Sequence, residues 1–228
     1  MIALATILGF LPAFIWLIFY LKEDRHPEPK RLIIETFVTG AIFAILALVA
    51  ELAFDYGLNL SKLGGFAPLA LVGFALIEEL AKFGAAFVII KNNPDFDEPI
   101  DAMIYMVIAA LGFATVENLG VIGSYMSSGM SLPTSTGLIV ETISLRFIGA
   151  TLLHTLTSAS LGYWWAQGIR KFKDKKFLIA GLMVATGLHT IFNYLIINYE
   201  GIAYPLLFVI LVGFFVIGDF EKLKRRSI

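Results

Sequence analysis

From Phe66 to Ile90 the chain is apolar throughout except around one helical turn, Glu78-Glu79-Leu80-Ala81-Lys82. A run of that length is enough to cross a bilayer, which takes roughly 20 apolar residues. Each ionisable group held at membrane depth costs about 2.5–3.5 kcal/mol on insertion scales. Three of them in one turn require partners, and those have to come from other helices.

The rest of the chain supplies such helices. Of its 228 residues 58% are hydrophobic and 15% charged, whereas a soluble domain carries about a quarter charged residues. Seven stretches are long and apolar enough to span: roughly 2–21, 32–54, 66–90, 99–123, 147–167, 177–197 and 202–219. The expected fold is all-α, a polytopic transmembrane bundle forming a single membrane domain over residues 1–228. The segment 138–146 either extends the fifth span or lies at the interface, because it carries Glu141 and Arg146. The first stretch lacks the basic start and small-x-small site of a cleaved signal and reads as a retained span. Without cysteine, disulfides, thiolate nucleophiles and cysteine-ligated zinc are excluded.

Charge in the connections sets an orientation. Lys22, Arg25, Lys30 and Arg31 lie in the first loop and Lys91 in the third. Arg170, Lys171, Lys173, Lys175 and Lys176 lie in the fifth, and Lys222, Lys224, Arg225 and Arg226 in the tail. The opposite side has only Lys62. Basic loops stay cytoplasmic, so the N-terminus is expected outside and the C-terminus in the cytoplasm of a cell-membrane protein. The small, uncharged segment Gly123–Gly137 reads as an external lid loop. Nothing points to a nucleic-acid partner; the expected partners are lipid and a membrane-anchored protein.

Polar groups recur at depth. Besides Glu78, Glu79 and Lys82, the fourth span has Glu117 and Asn118, the fifth His154, and the sixth His189 and Asn193. Lys82 follows the two glutamates by four and three residues, so it sits angularly between them. At ~1.5 Å rise per residue, Glu78 lies about 18 Å from the outer end of its helix, Glu117 about 9 Å, His154 about 11 Å and His189 about 12 Å. The groups can therefore share one layer in the outer half of the membrane.

Two histidines and a carboxylate form a catalytic zinc set with water in the fourth place, here His154, His189 and Glu117. A second carboxylate then serves as general base, and Asn193 orients a ligand or donates to an oxyanion. A metal-free version, in which desolvated glutamate and histidine activate water directly, stands beside it. Arg146 reads as an interface anchor, Glu35, Glu51 and Glu141 as structural, and His26 as a loop residue.

The motifs resemble those of the PrsW family of intramembrane proteases over most of the chain. Glu78-Glu79-Leu80-Ala81-Lys82 is similar to its Glu-Glu-x-x-Lys motif, and Phe113-Ala114-Thr115-Val116-Glu117 to its Phe-x-x-x-Glu motif. His154 and His189-Thr190-Ile191-Phe192-Asn193 resemble its two histidine motifs, and Pro27-Glu28-Pro29 and Phe96–Tyr105 its loops. Ala102 stands where a glycine is usual, and Asn193 where some relatives carry an acid. The resemblance implies a hydrolase that cuts a membrane-anchored protein near the extracytoplasmic side, as in the first cut of an anti-sigma factor in stress signalling. It implies Glu78, Glu79, Glu117, His154 and His189 as catalytic groups, with Lys82 and Asn193 in support. The alternative is an ion- or proton-coupled transporter using the same groups, against which the lack of an internal repeat counts.

Overall fold

The computed structural model describes residues 2–24, 26–61, 67–171 and 175–225. Arg25, Lys62, Lys173 and Arg226, part of the charge argument, lie outside the described residues, as do the side chains of Arg170 and Lys171. The described chain is helical: α1 (Ile2–Leu21), α2 (Lys30–Leu60), α3 (Ala67–Ile90), α4 (Asp101–Ser127), α5 (Leu132–Ile148), α6 (Ala150–Lys171), α7 (Lys175–Asn198) and α8 (Ala203–Lys224). Among the described residues, five stretches are long and apolar enough to cross a membrane: α2, α4, the α5–α6 unit over Pro133–Ile169, α7 and α8. α1 is apolar along its 20 residues, and α3 carries the three charged residues of its central turn.

α4 is the axis of the bundle. Its residues from Asp101 to Thr115 are all buried, as expected for a helix that is apolar on every side. It packs against α1, α2, α3, α5 and α6. Glycine allows the closest of these approaches. A Cβ on Gly112 would lie 1.9 Å from the Phe37 carbonyl oxygen of α2, and one on Gly162 of α6 would lie 2.5 Å from the Ala102 carbonyl oxygen. Without a hydrophobic drive between helices in lipid, such backbone contact is a main source of association. The outer faces are apolar instead: Ile34, Leu52, Met183, Phe214 and Phe215 are all exposed, as a lipid-facing surface requires.

One expectation changes here and one open alternative is narrowed. The segment Gly123–Gly137 is not a lid loop, because α4 continues to Ser127 and α5 begins at Leu132. Ser124, Ser127 and Ser128 bond to carbonyls of their own helix, with Ser127 Oγ donating to the Gly123 carbonyl at 2.9 Å. The segment 138–146 belongs to α5, which is separated from α6 by a break at Gly149 (φ −106°, ψ −96°).

One end of the bundle gathers the basic connections. Lys224 of α8 pairs with Glu23 after α1, His26 meets Glu98 of the α3–α4 connection at 2.6 Å, and Lys222 lies over the Tyr163 ring of α6. Glu28 anchors the first loop there. It is buried and accepts a 2.5 Å hydrogen bond from Tyr105 Oη. Burial, with Asp101 and Asp24 nearby, pushes its carboxyl up from 4.5 to about 8.

Two outcomes are expected. Gly112→Val should sharply lower the unfolding temperature in detergent micelles, because backbone must move, whereas Gly213→Ala, with nothing within 4 Å, should not. Glu28 holds its proton when folded and loses it above 4.5 when unfolded, so it lowers stability progressively as pH rises toward about 8. Glu28→Gln should flatten the fall of unfolding temperature over that window; an unchanged slope would count against the buried neutral carboxyl.

Candidate active site

Four helices converge on one cluster. α3 supplies Glu78, Glu79 and Lys82, α4 Glu117, α6 His154 and α7 His189. The Lys82 ammonium has no exposed surface. It donates to Glu79 Oε1 at 2.8 Å, to Glu78 Oε2 at 3.4 Å and to His154 Nδ1 at 2.7 Å. It also lies 4.9 Å from the centre of the Phe113 ring, a cation–π contact that gives the aromatic residue one turn before Glu117 a purpose. Glu79 is equally buried. Its Oε1 accepts from Lys82, from Thr157 Oγ1 at 3.0 Å and from His189 Nδ1 at 2.9 Å. Its Oε2 has no hydrogen-bond partner among the described residues.

The histidine roles follow from their partners. An ionised carboxylate only accepts, so His189 carries its proton on Nδ1, toward Glu79, and presents the lone pair of Nε2. That atom is 3.7 Å from Glu78 Oε2. Lys82 only donates, so His154 accepts at Nδ1 and donates from Nε2 to Glu117 Oε2 at 2.8 Å. His154 Nδ1 is 3.8 Å from Glu78 Oε2. The two rings meet edge to face with centres 5.1 Å apart.

A cavity of about 540 Å³ opens on this cluster, lined among others by Glu51, Glu78, Glu117, His154, His189 and Asn193. The Glu78 side chain is 12% exposed and that of Glu117 30%, against 0% for Glu79 and Lys82. Of the cluster's glutamates, Glu78 and Glu117 thus face the cavity, while the Glu79–Lys82 pair lies behind them.

A family model described as "PrsW family intramembrane metalloprotease" matches residues 28–218. The chain belongs to the PrsW family. It is therefore a membrane-embedded protease, a hydrolase with several membrane-crossing helices. Among similar proteins, "Protease PrsW" of Geobacillus kaustophilus is 28% identical over 80% of this chain and 74% of its own length. The Clostridioides difficile protein of that name is 26% identical over 97% and 92%, and the Bacillus subtilis one 26% over 92% and 89%. No solved structure matches.

Among the described residues of this PrsW-family chain, Glu78, His154 and His189 form the group able to hold a metal ion, with ligand atoms within 4.8 Å of one another. The donor set fits by type, two imidazole nitrogens and a carboxylate, with His154 Nδ1 engaged by Lys82 at 2.7 Å. The supports fit too, since a ligating histidine normally places its other ring nitrogen on a carboxylate or carbonyl. Glu79 does this for His189 and Glu117 for His154. Relative to the sequence expectation of His154, His189 and Glu117, one carboxylate changes. Glu117 lies on the far nitrogen of His154, and Glu78 occupies the converging position.

Three further residues enter the site against expectation. Arg146 is not an interface anchor: its Nη2 donates to Glu117 Oε2 at 2.8 Å and its Nε to Asn118 Oδ1 at 2.5 Å. Glu51 is not near a helix end, because α2 runs on to Leu60, and it lines the cavity. Thr157, one turn after His154 on α6, holds Glu79. Its i+3 offset from His154 was the available sign. Asn193 lines the cavity one turn after His189.

The geometry separates the adjacent glutamates by stability. Glu79→Gln leaves the fully buried Lys82 without its main counter-charge and should cost about 3–5 kcal/mol. Glu78→Gln, at the cavity wall, should cost clearly less. Thermal or denaturant unfolding of the two purified variants measures this; equal losses would contradict the division.

Proposed function

We propose that the protein cleaves a membrane-anchored protein by hydrolysis at the cluster of Glu78, His154 and His189. The observation that carries this reading is the convergence of those three side chains on a cavity that also exposes Glu117. They are the residues that would hold a divalent metal of the zinc type. Bound there, it would supply a Lewis acid and lower the pKa of its water.

The remaining steps fall to the protein. Glu79 and Glu117 fix the two imidazoles in the tautomers that turn His189 Nε2 and His154 Nδ1 toward Glu78. Lys82 balances the carboxylates; its 2.7 Å contact with His154 Nδ1 would be given up to Glu79 when a metal takes that nitrogen. Glu117 is the cavity-facing carboxylate that accepts the proton as the water oxygen bonds to the peptide carbon. It returns that proton to the leaving amine as the carbon–nitrogen bond breaks. Arg146 and Asn193 line the same cavity and offer donors for the carbonyl oxygen as it gains charge.

We further infer a single membrane domain of about seven spans, N-terminus outside and C-terminus cytoplasmic. The gathering of Lys22, Lys91, Lys175, Lys222 and Lys224 toward the end tied together by the Glu23–Lys224 and His26–Glu98 contacts supports this orientation. The cut would then fall in the half of the membrane away from that end, and the substrate class we infer is a membrane-anchored anti-sigma factor that initiates a stress response. No observation favours the ion-coupled transporter.

Cleavage of a tagged single-span protein in proteoliposomes should fall at least ~100-fold for Glu78→Gln with the fold intact, and ~10-fold or more for Glu117→Gln. Elemental analysis should find about one equivalent of metal in the wild type, lost in His154→Ala and His189→Ala. Full cleavage by Glu78→Gln would sink the reading. A fully active, metal-free preparation would make Glu78 itself the base.

A further inference from the structure

A second cavity of about 370 Å³ opens beside the reactive one, walled by Thr142, Leu145, Tyr199, Ile202 and Pro205. That volume lies within the roughly 300–1,000 Å³ of ligand pockets. Leu145 and Tyr199 are exposed, so the cavity is a groove reachable from the side. Its one charged lining residue, Arg146, turns its guanidinium away to Glu117 and Asn118.

The two cavities share a wall of Val121, Arg146, Ala150, Phe192 and Ile196. Most of these positions stand in a simple relation to the reactive groups. Val121 is i+4 from Glu117, Ala150 is i−4 from His154, and Phe192 and Ile196 are i+3 and i+7 from His189. On α4, α6 and α7 the wall begins one turn along, ~5 Å away, and reaches a second turn at Ile196, toward the end opposite the basic loops. An extended peptide advances about 3.3–3.6 Å per residue. A peptide bond at the cluster therefore delivers the side chains one to three residues away into this groove.

Resting on the protease reading above, we propose that the groove is a specificity subsite that binds large apolar side chains of the substrate flanking the bond that is cut. Leucine, isoleucine or phenylalanine would bury their surface there. A polar side chain would lose water and find little beyond the Thr142 and Tyr199 hydroxyls in return.

The test uses a tagged single-span protein in proteoliposomes, made with Leu, Ala or Asn at each position flanking the cut. The wild type should prefer Leu over Ala and Asn at one or two of these positions. Leu145→Trp with Ile202→Trp, which fills the groove, should reduce the Leu-over-Ala ratio of kcat/KM about tenfold. An unchanged ratio would overturn the proposal. A second measurement does not depend on turnover. The chain has no cysteine, so Leu145→Cys in a Glu78→Gln background should form a disulfide at one or two positions when a single cysteine is scanned along the substrate's membrane segment. Met183→Cys, on the lipid-facing side of α7, should not. Equal capture at both positions would overturn the subsite while leaving the protease reading intact. A wild type that cleaves no single-span protein would overturn that reading, and the cross-link would still report on the groove.

Discussion

The ion pair between Lys82 and Glu79 is what the rest of the site depends on. Both side chains are fully buried, where an unpaired charge would be expelled or neutralised. The pair survives because each member has several partners. The ammonium reaches two carboxylates, an imidazole nitrogen and an aromatic face. One oxygen of Glu79 takes three donors from α3, α6 and α7. Buried pairs of this kind add little net stability. Their contribution here is geometric. With α3, α6 and α7 each committed to one oxygen atom, the two histidines have little freedom to turn.

This pair also explains why adjacent glutamates differ. Successive helical residues point about 100° apart, so only one of Glu78 and Glu79 can face the cavity while the other faces the protein. The motif's lysine, three and four residues on, reaches both and sets them to different tasks. Glu79 is tied on one side by protein donors, and Glu78 keeps a surface toward the space where a substrate would lie.

Much of this was legible in the sequence, because in a membrane every polar residue at depth has to be explained. That pressure picked out Glu78, Glu79, Lys82, Glu117, His154 and His189, and rise per residue placed them at similar depth. What escaped depended on direction and not on depth. Arg146 precedes the break at Gly149, and nothing in composition shows that α5 turns it back onto Glu117. Which carboxylate joins the histidines follows from which ring nitrogen each one touches, and spacing is silent on that. The segment Gly123–Gly137 looked like a loop because its serines and threonines favour turns; in the structure several of them bond to the carbonyls of their own helix instead.

The buried, glycine-packed α4 connects these observations. Glu117 must hold His154 to a fraction of an ångström, yet it borders a cavity of several hundred cubic ångströms, which weakens packing on that side. The compensation lies further along the same helix. From Asp101 to Thr115 α4 is enclosed on every side, with backbone in contact with α2 at Gly112 and with α6 at the Gly162 step. The helix is thus fixed over its lower half and carries Glu117 just above, where the cavity begins. α6 is held along the same stretch and carries His154 to the same level. The two partners of the 2.8 Å contact between His154 and Glu117 are therefore positioned by close packing about one to two turns away, which leaves the space around them open for substrate.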